Sequence, residues 1–237
     1  ILGSTLDKEL IREILKKYSI THIIHAAAFK HVELCELNKN QCLLNNFVST
    51  INLAQLSLEY KVKKFLLIST DKSINPTTIM GLSKKISEEY IQLLSNEVTN
   101  STIFFGVRFG NVIGSRGSAI PIFQKQINEK KPITLTHPDM KRYLMSIDDA
   151  SNLILESFTI AKTGFMYILN MGEPIKIIDI ITKMVNYAGL SLKNDENPNG
   201  DISIKIIGQK KGEKLNEELF NSQDYKLTSN QDIFFEN

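Results

Sequence analysis

The chain has 237 residues, 42% of them hydrophobic, with 28 lysines and arginines against 26 aspartates and glutamates. That is enough apolar content to bury a core in one large domain or in one domain with an appendage, and it excludes a disordered chain. Near-balanced charge with dispersed lysines argues against nucleic acid as a partner. No apolar run reaches the roughly 18 residues of a membrane span, and the start carries no signal-peptide pattern, so no membrane contact is expected from this segment.

Residues 7–18 place Leu10, Ile11, Ile14, Leu15 and Tyr18 at helical spacing, so a helix is expected first. Thr21–His25 reads as a short strand, and the triplet Ala26-Ala27-Ala28 after it permits close approach to the backbone. The pattern continues with a long helix over 40–60, a strand over 64–68, a helix over 80–94 and a strand over 102–108. Strands alternating with helices indicate βαβ units and a parallel sheet.

The connection FGNVIGSRGSAIP then brings Gly110, Gly114 and Gly117 ahead of a helix over 120–128. It has neither the GxGxxG spacing nor a Walker lysine, so tight turns are expected there rather than a phosphate loop. A strand over 133–136 follows, then a helix over 147–161 capped by Ser146, and a strand over 165–169. A helix over 175–189 is expected to end at Gly189. Beyond the polar loop 191–201 come a strand over 202–207, a charged turn, a last helix near 215–220 and a polar, loosely packed tail.

Cys35 and Cys42 are too few for a disulfide framework and suit a reducing cytoplasm. The spacing of His22, His25 and His31 with Cys35 matches no zinc pattern, and no metal is expected. A dinucleotide fold should open with a strand, a glycine-rich turn and, about 20 residues on, an acidic residue. None appears here, so a Rossmann-type protein would be represented by a fragment lacking its first βαβ portion.

The most informative stretch is FLLISTDKSINPTTIMGLSKK, residues 65–85. An apolar strand delivers Ser69, Thr70, Asp71 and Lys72 at its end, where open α/β sheets present ligand-binding groups, and Lys84 follows within a helical pattern. Taken alone, Asp71-Lys72 also fits a solvated turn pair, and Lys84-Lys85 an exposed helix face.

Six stretches resemble, in order, the CapD/WbpM-type nucleotide-sugar 4,6-dehydratases, which are extended short-chain dehydrogenase/reductases of polysaccharide biosynthesis. They are HAAAFKHVELCE, ISTDKSINPTTIMGLSKK, VRFGNVIGSRGSAIPIF, LTHPDMKRYLM, LNMGEPIKIIDI and KKGEKLNEEL, and they run through nearly the whole chain. The resemblance implies a Rossmann-type α/β fold, with a dinucleotide-binding domain over 1–114, rejoined by about 146–174. A smaller α+β substrate-binding part would come from 115–145 and 175–237. It further implies a UDP-N-acetylglucosamine 4,6-dehydratase, a homo-oligomer, with tightly bound and recycled NADP or NAD. The place implied is the cytoplasm, or the cytoplasmic face of the inner membrane if spans precede this segment.

The same resemblance assigns roles. Asp71 would protonate the departing 6-hydroxyl, Lys72 would take the C5 proton, and Thr70 would hold the C4 oxygen. Lys84 would hold the nicotinamide ribose, with Ala26, Ala27, Ala28, Lys30, Asn45 and Ser69 also on the cofactor. Asn111, Arg142, Arg116, Lys210 and Glu213 would contact the UDP-sugar. Met80 stands where the superfamily's Tyr-x-x-x-Lys motif has its catalytic tyrosine, as in the larger, membrane-anchored dehydratases of this group, and it cannot exchange a proton. Phe29 replaces the usual tyrosine, Glu33 a proline, and Lys210-Lys211 a common Arg-Pro; a lysine lacks arginine's planar fork for phosphate. The rival readings are a UDP-sugar 4-epimerase, which keeps the 6-hydroxyl, and a non-catalytic dinucleotide-binding regulator.

Overall fold

A computed structural model describes residues 1–96, 101–115, 117–221 and 225–236. The chain divides into two compact units, one of residues 1–109, 152–170 and 218–237, the other of residues 110–151 and 171–217.

In the first unit a six-stranded sheet runs in the order His22–His25, Lys64–Ile68, Ile103–Arg108, Met166–Leu169, Ile233–Glu236, Lys226–Leu227. The first four strands are parallel; Ile233–Glu236 runs antiparallel to Met166–Leu169, and Lys226–Leu227 antiparallel to Ile233–Glu236. Parallel neighbours need long crossovers, and helices Ser49–Glu59 and Ile79–Ser95 supply two of them. Phe65, Leu66 and Leu67 are all buried, as a central strand covered on both faces requires. The α/β, Rossmann-type fold is therefore as expected, and residues 218–237, expected in the smaller part, join the first unit because their strands complete its sheet.

Three local expectations are corrected. The long helix over 40–60 is interrupted, running as Lys39–Leu43, a π-helical turn Leu44–Val48, and Ser49–Glu59. The carbonyl of Asn46, in this turn, accepts from the hydroxyls of Thr50 (2.7 Å) and Ser87 (3.4 Å). No helix forms near 215–220, because the carbonyls of Lys214 and Leu215 accept from the Arg142 guanidinium, both at 2.9 Å. Nor is the tail loose, since Ile233 is fully buried and pairs with Leu169, while Phe235 packs on Phe165 at 4.9 Å between ring centroids. A short helix Val32–Leu37 also forms; it exposes Leu34 and Leu37 and buries only Cys35, so its apolar pattern shows no face.

The second unit packs helices Ala119–Asn128 and Ile177–Tyr187 with a parallel three-stranded sheet, ordered Leu192–Lys193, Ile202–Ile206, Ile133–Leu135. Its core joins Phe123, Ile127, Ile133, Ile181, Val185 and Ile202. Gly189 takes the left-handed φ of +71° just past the second helix, as a helix-ending glycine should. Among the described residues, no helix is long and apolar enough to cross a membrane.

Candidate functional site

The central strand ends at Ile68, but its backbone pairing continues. Ser69 N–H donates to Val107 O at 2.7 Å and Asp71 N–H to Phe109 O at 3.0 Å. This carries Asp71 beyond the carboxyl edge of the sheet, where a 3₁₀ turn, Asp71–Ser73, sets its side chain. Asp71 is fully buried. Its Oδ1 accepts from the Thr70 hydroxyl at 2.8 Å and from the Lys72 ammonium at 2.9 Å, whereas Oδ2 has no protein partner. The Lys72 side chain is 23% exposed, whereas that of Asp71 is buried.

Thr78 caps the next helix, its hydroxyl accepting from Gly81 N–H at 3.1 Å. The Glu36 carboxylate takes the Ile79 N–H at 2.7 Å, a favourable charge for a helix start. The buried face of Ile79–Ser95 carries Met80, Ser83, Lys84, Ser87, Glu88 and Ile91, a helical stripe that is half polar. Gly81 lets that helix close on the Asp71–Ser73 turn, because a Cβ there would lie 2.3 Å from the Lys72 carbonyl oxygen.

Lys84 is buried. Desolvation lowers its pKa to about 8, against the opposing charge of Glu88. His25, at the end of the first strand, is lowered further, to about 3, first by burial and then by Lys84. It is therefore neutral at physiological pH. Its Nε2 lies 3.0 Å from Thr50 Oγ1, whose hydrogen goes to Asn46 O, and this assigns the imidazole proton to Nε2.

Asn46 was not singled out in the sequence; its neighbour Asn45 was. The side chain of Asn46 is buried and clamps the loop after the first strand, its Oδ1 accepting from Phe29 N–H (2.7 Å) and its Nδ2 donating to Phe29 O (3.0 Å). Nδ2 also donates to Ser83 Oγ at 3.0 Å, tying this loop to the Lys84 helix. Asn45 donates to Asn46 Oδ1 at 3.1 Å. The available signal was the run of Asn46, Ser49, Thr50 and Asn52 inside an apolar helix, since polar groups at core positions need partners.

Within the first unit the structure thus brings together Thr70, Asp71 and Lys72 on one turn and Lys84 on the helix closed against it. Ala26 and Ala27 are exposed and Ala28 half-buried, in the loop that Asn46 holds; Lys30 is exposed just beyond. Ser69 is buried and its hydroxyl donates to Glu88, so it is committed to the protein interior. The Met80 thioether packs with Cys35, Cys42, Val32 and Ile79, which makes it a core side chain. Burial and the neighbouring Cys42 push the Cys35 thiol up to about 12, leaving it inert as a nucleophile.

In the second unit, Asn111 opens a two-residue strand paired with Leu144–Met145. The Arg142 guanidinium donates to the carbonyls of Lys141 (2.7 Å), Lys214 and Leu215, and lies 3.5 Å from the Glu213 carboxylate. Lys210 and Glu213 close a tight turn through Glu213 N–H to Lys210 O (3.0 Å) and Lys210 N–H to Glu213 Oε2 (3.1 Å). Arg142 therefore anchors the segment bearing Lys210. Arg116 lies outside the described residues.

A parallel sheet with an acid, an amine and a buried helix lysine beyond its strand ends defines the class, that of the extended short-chain dehydrogenase/reductases. The chain belongs to the polysaccharide biosynthesis protein family, whose pattern matches residues 1–237, and the resemblance read in the sequence is borne out. Capsular polysaccharide biosynthesis protein CapD of Staphylococcus aureus is 42% identical over 94% of this chain and 36% of its own length. The UDP-N-acetylglucosamine 4,6-dehydratase (inverting) of Campylobacter jejuni is 34% identical over 96% of this chain and 64% of its own. A UDP-glucose 4-epimerase of Rickettsia bellii is also 34% identical, over 94% and 62%. The chain spans about a third of the length of the curated relatives it matches first. In fold it is similar to DesIV, a dTDP-glucose 4,6-dehydratase of Streptomyces venezuelae solved with NAD bound, with a TM-score of 0.79 and 17% identity over 92% of this chain and 69% of that one.

Proposed function

We propose that this chain carries the catalytic part of a UDP-N-acetylhexosamine 4,6-dehydratase working with a nicotinamide dinucleotide. The observation that carries this reading is the Asp71–Lys72 pair, a fully buried carboxyl with one unpartnered oxygen beside a partly exposed lysine. Epimerisation at C4 requires hydride transfer and one proton acceptor. Loss of water across C5 and C6 requires in addition an acid for the leaving hydroxyl and a base for the C5 proton, and this pair supplies both.

The residues present fit the nicotinamide half of such a cofactor. A buried lysine stands behind the strand ends, and the clamped loop of three alanines puts nothing larger than a methyl group in front of its backbone. Lys84 would hold the ribose, and the alanine loop would lie along it. When bound, the cofactor would supply reversible hydride transfer.

The protons can be followed on this chain's own atoms. In the proposed cycle Lys72 acts as the base and Asp71 as the group that first takes up and then gives the proton. The C4 hydroxyl proton passes to Thr70, whose own hydrogen moves along the 2.8 Å bond to Asp71. That route replaces the tyrosine that Met80 has displaced. With C4 now a ketone, the C5 proton is acidic and Lys72 takes it, while Asp71 gives its proton to the departing 6-hydroxyl, which leaves as water. After hydride reaches C6, Lys72 returns a proton to C5, and both residues end as they began. Asn111, Lys210 and Glu213 would contact the sugar nucleotide, with Arg142 fixing the Lys210 turn.

The test is incubation of the full-length protein with UDP-N-acetylglucosamine and NMR of the product. A 4-keto-6-deoxy sugar is expected. A C4 epimer that keeps its 6-hydroxyl would favour the epimerase, and tight cofactor binding without turnover a regulator.

A further inference from the structure

Glu88 lies one helical turn beyond Lys84 on the same buried face and has no part in the proton route. It is 1% exposed and nearly saturated. Its Oε1 accepts from the hydroxyls of Ser69 and Ser73 (2.7 Å) and from Arg108 Nε (3.4 Å), and its Oε2 from Arg108 Nη2 at 2.8 Å. Ser73 closes the 3₁₀ turn that bears Asp71 and Lys72, and Ser69 is the residue that begins the approach to it. We propose, building on the dehydratase reading, that Glu88 is a positioning residue which, through Ser73 and Ser69, fixes the Asp71–Lys72 turn against the helix carrying Lys84.

Several features make the arrangement more than a core ion pair. Arg108 already has a second carboxylate, Glu236, at 3.0 Å, and the Leu219 carbonyl at 3.0 Å. Its charge is thus compensated without Glu88. The two hydroxyls that Glu88 collects flank the acid and the base on either side in sequence. Gly81 puts no Cβ between the helix and the Lys72 carbonyl, so turn and helix meet at two points, one steric and one polar. The Ser73 hydrogen is shared between Glu88 and Thr70 O at 2.7 Å, which also braces the residue that relays the C4 proton. Glu88 further supports the charged form of Lys84 against burial, linking both lysines to one carboxylate.

Ser73→Ala in the full-length protein removes the polar link while leaving the Arg108–Glu88 pair in place. A fall in kcat of about tenfold or more is expected, with KM for UDP-N-acetylglucosamine within about twofold and the melting temperature retained. Glu88→Gln, which leaves Arg108 on Glu236 alone, should lower kcat further and lower the melting temperature as well. Independently of turnover, reductive methylation of Lys72 followed by mass spectrometry should run several-fold faster in Ser73→Ala than in the wild type. Wild-type turnover with an unchanged kcat in Ser73→Ala overturns the inference and leaves the dehydratase reading intact. A wild type that produces no 4-keto sugar refutes that reading instead, and unchanged Lys72 reactivity then overturns the inference by itself.

Discussion

Asp71 has two carboxylate oxygens in unlike surroundings. One is held by Thr70 and Lys72, and the other is buried with no protein partner, which ordinarily carries a desolvation penalty of about 1–3 kcal/mol. An arrangement that leaves such an atom unsatisfied fits a substrate hydroxyl as its missing partner. If Thr70 relays the C4 proton, Thr70→Val should lower kcat by about 10²-fold or more, and Thr70→Ser should restore most of it, as steady-state assays would show. His25 gives a second residue-scale prediction. Its pKa falls from 6.5 to about 3 on folding, so between these values the unfolded chain binds the extra proton. Stability present above about pH 6.5 is lost as pH falls toward 3, by about 2 kcal/mol between pH 7 and pH 5. Denaturant titrations of His25→Gln at those two pH values should show that much less acid sensitivity; equal sensitivity would remove His25 as the cause.

The element that matters most is the helix Ile79–Ser95. Its existence was legible, since a helix is expected over 80–94, and Met80, Ile91 and Leu94 fall on one buried face. Its polar buried face was not. Ser83, Ser87 and Glu88 look like solvent-facing residues in a one-dimensional pattern, and only the partners brought by other elements, Asn46, Ser73 and Arg108, show them to be interior. Gly81 is likewise silent in the sequence, where a glycine in a helix reads as a mild weakness. Gly81→Ala should place a methyl group against the Lys72 carbonyl and push the turn away. The expected result is a cost of about 1–3 kcal/mol in denaturant unfolding together with a loss of turnover well beyond what that stability change explains. A Gly81→Ala protein with wild-type kcat would show that close contact here is packing alone. The π-helical turn was hidden for a related reason, because one extra residue in a helix leaves the apolar spacing almost unchanged.

For the whole molecule, the alternation of strands and helices from residue 21 to 108 was sufficient to read a parallel sheet, and the order of the strands agrees with it. The C-terminal closure of that sheet was not readable. IFFE is too short a run to be told from a packed loop, and its Glu236 finds its purpose only in Arg108, far away in sequence. The Arg142 contacts carry the same lesson, since an arginine expected on the UDP-sugar donates its guanidinium to the backbone of residues 141, 214 and 215.

Dehydration by internal hydride return is the claim from which the residue roles follow, and a single isotope experiment tests it. UDP-N-acetylglucosamine deuterated at C4 should be converted by the full-length protein to a 4-keto sugar with deuterium in its C6 methyl group, and Lys72→Ala should form little of it. Deuterium found still at C4 of an epimerised or unchanged sugar, or normal C6 labelling by Lys72→Ala, would contradict the assignment of Asp71 and Lys72 as acid and base.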